Sequence, residues 1–302
     1  MISLHQGPAL LLLGWILLTP FLSPVLSAET IHEEKSLYRN IAVLQNGDRR
    51  CLVFPTGNKD REQSCIHVRE PKKLYFPYVR MTFAGLLLNP SPQKILVIGL
   101  GGGSIPSTLS EIYPESVIHA VEIDPAVVKV AKDYFNFSEK ENLKVTVMDA
   151  RVFIKKEGLR RAEYDLIILD AFNGDYIPEH LMTVEFLTEV RKILSEQGAL
   201  VANTFSTSDL YHHESVTYEK AFGEFYNFRL PVTGNRIILA SKKDLPDLIT
   251  LKSRVSLLDS QLSLYGINVA KYPRYMSLLK DWNEEARLLT DQYSPANLLD
   301  RK

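Results

Sequence analysis

The chain has 302 residues, of which 45% are apolar, 35 are lysine or arginine and 36 are aspartate or glutamate. This length and composition suit one large core with modest additions at both ends. The formal charge is −1 and no basic block stands out, so we expect neither a nucleic-acid partner nor an anionic-membrane partner.

The first 28 residues have the layout of a targeting segment. An apolar run from Ala9 to Leu18 is followed by small residues that end at Ala28. Cleavage there would make the protein secreted or periplasmic. Basic residues are missing before the apolar run, whereas Lys35 and Arg39 follow it, so a retained membrane anchor is the alternative. The membrane would then be a partner only through this segment.

Residues 36–74 predict a small antiparallel β domain, because short β-prone runs alternate with turn formers such as Asn46-Gly47-Asp48. A second copy could cover the edges of this sheet, so a homodimer is one expected assembly. Cys51 and Cys65 lie on either side of a predicted hairpin. They form either a disulfide or two half-buried thiols, and the sequence alone does not decide between them.

Residues 75–243 alternate strands with helices, which predicts an α/β, Rossmann-like fold with helices on both faces of a mostly parallel, seven-stranded sheet. Helices are expected over 75–88, after the glycine turn, from Pro125, over 184–194 and around 216–222. The strands are expected at 95–98, 117–121, 143–148, 164–169, 199–204 and 235–240. Residues 244–302 carry leucines at helical intervals over 248–264 and predict a C-terminal helical segment.

A glycine cluster follows the first of these strands. Gly99, Gly101 and Gly103 form a turn between strand and helix, and Glu122 ends the next strand 21 residues after Gly101. Such a turn lets a ligand approach the main chain, and a carboxylate at that distance can accept hydrogen bonds from ribose hydroxyls. The pattern indicates a nucleoside pocket.

Two further carboxylates end parallel strands, Asp149 after the third and Asp170 after the fourth. Ligands of open α/β sheets bind outside the carboxyl ends of the strands. Asp149 and Ala150 suit the adenine amino group and ring edge, and Asp170 suits the reacting part of the ligand. Each carboxylate could instead cap the following helix. Capping is a poor explanation for three carboxylates, Glu122, Asp149 and Asp170, at the ends of successive parallel strands.

The order GLGGG, VEID, a strand ending on Asp149, then YDLIILD resembles the spermidine synthase family, a branch of the class I AdoMet-dependent transferases, over residues 38–302. That family carries a signature D-S-S-D-P-x-G-P-x-x-x-L-F-T, with which residues 170–183 align without gaps. The resemblance implies that decarboxylated AdoMet or AdoMet is the co-substrate, that no metal is needed, and that Asp170 is the general base. It also implies that Tyr78 contacts the amine substrate.

The chain departs from the family at three places that bind ammonium groups or the substrate. Asn173 stands for the second aspartate, which helps to hold the diamine, and Val79 replaces the glutamine after the substrate tyrosine. Gly102 stands for the aspartate that recognises the aminopropyl ammonium. A dication needs paired carboxylates, because an unpaired buried ammonium is costly. The adenosine half of the site is kept, whereas the amine half is altered.

Three functions are therefore compared. The first is aminopropyl transfer from decarboxylated AdoMet to an amine, as in polyamine biosynthesis. The second is AdoMet-dependent methylation of a small-molecule or protein amine, because GLGGGS with VEIDP also resembles spermidine-synthase-like methyltransferases of eukaryotes. The third is an exported, non-catalytic nucleoside-binding protein. His212 and His213 lack metal-type spacing, so we expect no metal site.

Overall fold

The computed structural model describes residue 2 and residues 28–56, 59–173 and 176–295. The predicted signal or anchor over residues 1–28 therefore lies outside the described residues, apart from Ile2 and Ala28. Among the described helices, none combines the length and apolarity that a bilayer crossing requires.

A small antiparallel sheet comes first, with its strands in sequence order. It begins earlier than the predicted residue 36, because its first strand is polar and half exposed and so lacks the apolar pattern of a buried strand. The strands are β1 Glu29–Lys35, β2 Asn40–Asn46, β3 Arg49–Thr56 and β4 Lys59–His67.

Cys51 and Cys65 are directly opposite each other in β3 and β4 and form a disulfide, with their Cα atoms 4.1 Å apart. Both side chains are buried in a small apolar cluster with Ala42 and Val53. The structure thus selects the paired state from the two that the sequence left open.

The large sheet has eight strands in the order β12-β10-β11-β9-β8-β5-β6-β7. The strands β5 to β9 pair in parallel, and β10 to β12 add an antiparallel edge. The bounds are β5 Lys94–Ile98, β6 Val117–Glu122, β7 Leu143–Val147, β8 Tyr164–Leu169, β9 Leu194–Phe205, β10 Tyr226–Phe228, β11 Asn235–Ser241 and β12 Met276–Ser277.

Helices cover both faces of this sheet, and two apolar clusters fill the layers between helices and strands. Their bounds are α1 Pro77–Thr82, α2 Gly85–Leu88, α3 Ser104–Ile112, α4 Pro125–Tyr134, α5 Ala150–Leu159, α6 Val184–Lys192, α7 Tyr211–Phe222 and α8 Leu248–Ser263. The predicted fold class is confirmed, although the sheet has eight strands where seven were predicted. The two-residue β12 at its edge is too short to leave a sequence pattern.

The chain order of the parallel strands places the ligand crevice. The strands β5 and β8 are neighbours, and the chain leaves β5 toward β6 on one side but leaves β8 toward β9 on the other, so the two connections run in opposite directions. A crevice opens at such a reversal in doubly wound sheets. The small sheet stands above it, because α4 packs against β1 and β2.

Candidate active site

A cavity of about 320 Å³ lies at the carboxyl ends of β5, β6, β7 and β8. The large sheet forms its floor. Phe54, Gln63 and Ser64 of the small sheet and Tyr78 of α1 form its roof. Two structural units therefore enclose the space where the sequence predicts a nucleoside.

The glycine turn forms one wall, and Gly99 shows why it needs glycine. Its φ is +94°, and a Cβ atom there would lie 2.3 Å from the carbonyl oxygen of Asp170. Gly99 and Gly101 line the cavity. Gly103 does not. It precedes α3, and a Cβ atom there would meet the ring of Phe137 at 2.4 Å, so its role is packing.

Gly102 is just as tightly enclosed. A Cβ atom at this position would lie 2.8 Å from Ser64 Oγ and 2.9 Å from the Phe135 ring. An aspartate like that of the related family would need both neighbours to move. The packing between the glycine turn and the small sheet therefore leaves no room for this carboxylate.

Glu122 ends β6 and ties the turn to the strand. Its Oε2 accepts a hydrogen bond from the backbone N–H of Leu100 at 3.1 Å, and its Oε1 accepts from Ile123 and Asp124 at 2.9 and 3.1 Å. Burial raises the pKa of this carboxyl, and the three backbone donors oppose the rise. Glu122 thus has a fixed orientation and still lines the cavity, as binding to ribose hydroxyls requires.

Asp149 and Ala150 lie at the start of α5, on the far side of Glu122 from β5. Asp149 Oδ1 caps the helix by accepting from the backbone N–H of Val152 at 2.9 Å, and Oδ2 lies 2.8 Å from Nε2 of His180. The capping function that the sequence allowed is therefore real. Both residues also line the cavity, so capping and a place beside the ligand coexist.

Asp170 follows β8 and is held between the glycine turn and β9. Its Oδ1 accepts a hydrogen bond from Nδ2 of Asn203 at 2.8 Å. Burial raises its pKa to about 7, although the Asn203 donor opposes this shift. A carboxyl group in this range can take a proton near neutral pH, which is the property a general base needs.

Tyr78 faces the same space from α1. Its hydroxyl donates to the carbonyl of Gln63 at 3.1 Å, which joins α1 to the small sheet. Burial raises its pKa well above the ordinary value, and the charge of Asp170 adds to the effect. Tyr78 is therefore a neutral hydroxyl near the predicted base.

Arg39 and Asn173 meet across the cavity. The guanidinium donates to Oδ1 of Asn173 and stacks 4.2 Å from the centre of the Phe54 ring. Nδ2 of Asn173 donates to the hydroxyl of Tyr176 at 2.8 Å. A cation thus contacts the residue that stands where the family has its second aspartate. Asp175, which follows two residues later, lies outside the described residues.

Sequence reasoning missed three side chains at the cavity or behind it: Arg39, His180 and Asn203. Asn203 lies near the end of the fifth predicted strand, but a neutral amide lacks the charge that marks a carboxylate at a strand end as a ligand candidate. Arg39 lies just before β2, and His180 lies in a single 3₁₀ turn, Glu179–Leu181; no periodic pattern marks a ligand-facing position at either place.

The fold and the site together define a class of protein: a transferase of the Rossmann-like, AdoMet type, with a nucleoside cavity and a carboxylate poised beside it. Comparisons with known proteins narrow the class. The spermine/spermidine synthase domain family matches residues 78–233. A polyamine aminopropyltransferase of Vibrio vulnificus is 53% identical over 294 residues, covering 96% of this chain and 98% of that protein. The chain therefore belongs to the spermine/spermidine synthase family and is an enzyme.

Solved structures show the same fold. A probable spermidine synthase from Corynebacterium glutamicum has a TM-score of 0.63 at 21% identity and covers 85% of this chain and 98% of its own. Human methyltransferase-like protein 13, solved with SAH, has a TM-score of 0.54 at 25% identity, covering 74% and 100%. The suspected family membership and the transferase class are confirmed, so the non-catalytic alternative is set aside.

The expectation of a secreted, periplasmic or membrane-anchored protein is wrong. The match to the Vibrio vulnificus aminopropyltransferase leaves only 4% of this chain uncovered, which is less than the predicted 28-residue targeting segment. That segment therefore belongs in part to a sequence shared with an enzyme of this family. An apolar run without basic residues before it was not sufficient evidence of export.

Proposed function

We propose that this chain transfers an aminopropyl group from decarboxylated AdoMet to an amine, with Asp170 as the general base. Family membership supports the transfer, and the buried carboxyl of Asp170 beside the glycine turn is the observation that carries the mechanism. Glu122 would bind the ribose, and Asp149 with Ala150 the adenine edge. No metal is part of the proposal.

The reaction follows from where these groups stand. The amine nitrogen attacks the aminopropyl methylene carbon that is bonded to the sulfonium sulfur. That carbon–sulfur bond breaks, and its electron pair leaves with the sulfur as methylthioadenosine. The nitrogen loses one proton as the new carbon–nitrogen bond forms. Asp170 takes that proton, because its pKa of about 7 lets it be ionised before the step and protonated after it.

Positioning supplies the rest of the catalysis. The backbone contact between Gly99 and Asp170 fixes the distance between the nucleoside turn and the base. A donor held by the turn and an amine held beside Asp170 and Tyr78 would react as one bound pair, which avoids the entropy of a bimolecular encounter. The acceptor amine is proposed as a small molecule.

Methyl transfer from AdoMet is the second candidate, and Arg39 is the observation that favours it. AdoMet carries a carboxylate that decarboxylated AdoMet lacks, and a guanidinium in the cavity wall is a natural partner for a carboxylate. The packed Gly102, which leaves no room for a carboxylate against a donor ammonium, points the same way.

Single-turnover transfer decides between the two donors. Enzyme in excess would be mixed with radiolabelled decarboxylated AdoMet or methyl-labelled AdoMet and a panel of amines that includes putrescine. The proposal expects label in the amine from decarboxylated AdoMet and little from AdoMet. Label from AdoMet alone would replace the proposed function by the second candidate.

A further inference from the structure

A chain of hydrogen-bonded side chains that do not line the cavity contacts Asp170: Asn203, Asn235 and Thr233. Asn203 is buried in β9, next to β8, and only 2% of its surface is exposed. Its Nδ2 donates to Oδ1 of Asp170 at 2.8 Å, and its Oδ1 accepts from Nδ2 of Asn235 at 2.9 Å. Each end of the Asn203 amide therefore has its own partner.

The chain of hydrogen bonds continues through Asn235 to the hydroxyl of Thr233. Oδ1 of Asn235 accepts from the hydroxyl of Thr233 at 2.7 Å, and the backbone N–H of Asn235 donates to the same hydroxyl oxygen at 3.2 Å. A backbone N–H is always a donor. The Thr233 oxygen accepts this bond and gives its proton to Oδ1 of Asn235, and Nδ2 of Asn235 faces Asn203.

We propose that Thr233, Asn235 and Asn203 form a positioning relay that keeps an N–H donor on Oδ1 of Asp170 and confines the titrating proton of Asp170 to Oδ2. The proposal rests on the proposed function in that Asp170 is the base of the transfer. An ionised carboxylate only accepts hydrogen bonds, so Asp170 holds the Asn203 amide with Nδ2 toward Oδ1, and Oδ2 is the oxygen left to receive the proton of the amine. The relay also favours the ionised state of Asp170, because an N–H donor stabilises a carboxylate.

Other charges around the cavity do not replace this donor. Among the described residues, none of the ionisable groups lining the cavity forms a hydrogen bond or ion pair with the Asp170 carboxylate. These groups are Tyr38, Arg39, Tyr78, Glu122, Asp124, Asp149 and His180. Losing the Asn203 donor should therefore raise the pKa of Asp170 by about 1 to 2, the size expected for one hydrogen bond to a charged group.

The sharpest test changes the relay at residue 235 and keeps Asn203 in place. In Asn235→Asp, residue 235 becomes an acceptor only and competes with Asp170 for Nδ2 of Asn203, so the donor on Asp170 is weakened or lost. Asn203→Leu removes the donor outright. Both variants should raise the pKa of Asp170, measured by ¹³C NMR titration of its carboxyl carbon in the ligand-free protein. The rise should be about 1 to 2.

The double variant Asn203→Leu with Asn235→Asp tells whether the pKa of Asp170 changes through the relay or through the new charge at residue 235. If residue 235 acts through Asn203, Asn235→Asp adds little to the pKa in an Asn203→Leu background. If it acts through space, its effect is the same in both backgrounds. Asn283→Asp is the matched control, because Oδ1 of Asn283 accepts from the backbone of Glu285, a bond that a carboxylate keeps, and Asn283 does not line the cavity.

Activity provides the second measurement. At pH 7 the two relay variants should transfer about 5- to 50-fold more slowly than wild type, because half of the wild-type Asp170 is ionised at that pH, and the loss should largely disappear at pH 9. An Asp170 pKa within about 0.3 of wild type in both variants would overturn the relay. If wild type transfers neither group, the proposed function fails, and the NMR titration still decides the relay.

Discussion

The backbone of Gly99 touches the backbone of Asp170: a Cβ atom on Gly99 would lie 2.3 Å from the carbonyl oxygen of Asp170. This contact joins the turn that would hold the nucleoside to the residue that would take the proton. The distance between donor and base is therefore set by main-chain packing, which a side-chain change elsewhere does not easily alter.

The substitution Gly99→Ala should move the glycine turn away from Asp170. The methyl group would push the turn away from the end of β8, and we expect methylthioadenosine affinity to fall by at least about tenfold. Gly47→Ala is the control: Gly47 also has a positive φ, +58°, but nothing lies within 4 Å of its Cβ position. Calorimetric titration measures both. Equal, small losses would mean that backbone strain alone explains the result.

Glu122→Gln should weaken nucleoside binding by about 1.5–3 kcal/mol, because it removes the charge that would strengthen the ribose hydrogen bonds. The structure adds a second cost. All three protein partners of Glu122 are N–H donors, so the NH₂ of a glutamine would face one of them. The exposed Glu115→Gln is the control. Wild-type affinity in Glu122→Gln, by calorimetry with methylthioadenosine, would contradict the ribose assignment.

The variant Arg39→Gln can distinguish AdoMet from decarboxylated AdoMet as the donor through nucleoside affinities, without an activity assay. SAH carries an amino-acid carboxylate and methylthioadenosine does not. If Arg39 binds that carboxylate, the variant should lose about tenfold or more in SAH affinity and little in methylthioadenosine affinity, since a charge-assisted hydrogen bond contributes about 1.5–3 kcal/mol. The proposed aminopropyl donor also lacks the carboxylate. Our primary proposal therefore expects similar small losses for both nucleosides, and a selective loss for SAH supports methyl transfer.

The disulfide between Cys51 and Cys65 should stabilise the small sheet. Its cysteines are 14 residues apart, and closing such a loop contributes about 3 kcal/mol in the chain-entropy model. The double variant Cys51→Ser with Cys65→Ser should lose about that much free energy of unfolding in urea. Reducing agent should lower wild-type stability by a similar amount and leave the double variant unchanged. A wild-type protein indifferent to reduction would mean that the thiols are not paired in solution.

Patterns that repeat along the chain gave the correct fold, whereas contacts between distant segments did not appear in the sequence. The strand ending on Glu122 and the one before Asp170 are apolar runs bounded by polar residues, so strand, turn and ligand edge could all be located. Arg39, by contrast, meets Asn173 only because the small sheet folds over the large one. That distance of 134 residues along the chain leaves no local signal.

Asn203 illustrates a different reason for a missed residue. Its position at the carboxyl end of a strand was predictable, but its importance depends on Asn235, which lies on the antiparallel strand beside it. Hydrogen-bond direction through two amides is a property of side-chain geometry. Only the folded chain shows which end of each amide faces which partner.

The central claim is that Asp170 takes the proton of the attacking amine, and the pH dependence of transfer tests it most directly. Burial raises the pKa of Asp170 to about 7, so the carboxylate form is lost as the pH falls through about 7, and kcat/KM should fall with it. Asp170→Asn should transfer about 10²–10⁴-fold more slowly while binding methylthioadenosine within a few fold of wild type. The measurement is kcat/KM for transfer from pH 5.5 to 9 in both proteins. The account predicts a break in the profile near pH 7 in wild type and no break at that pH in Asp170→Asn; equal rates in the two proteins would contradict it.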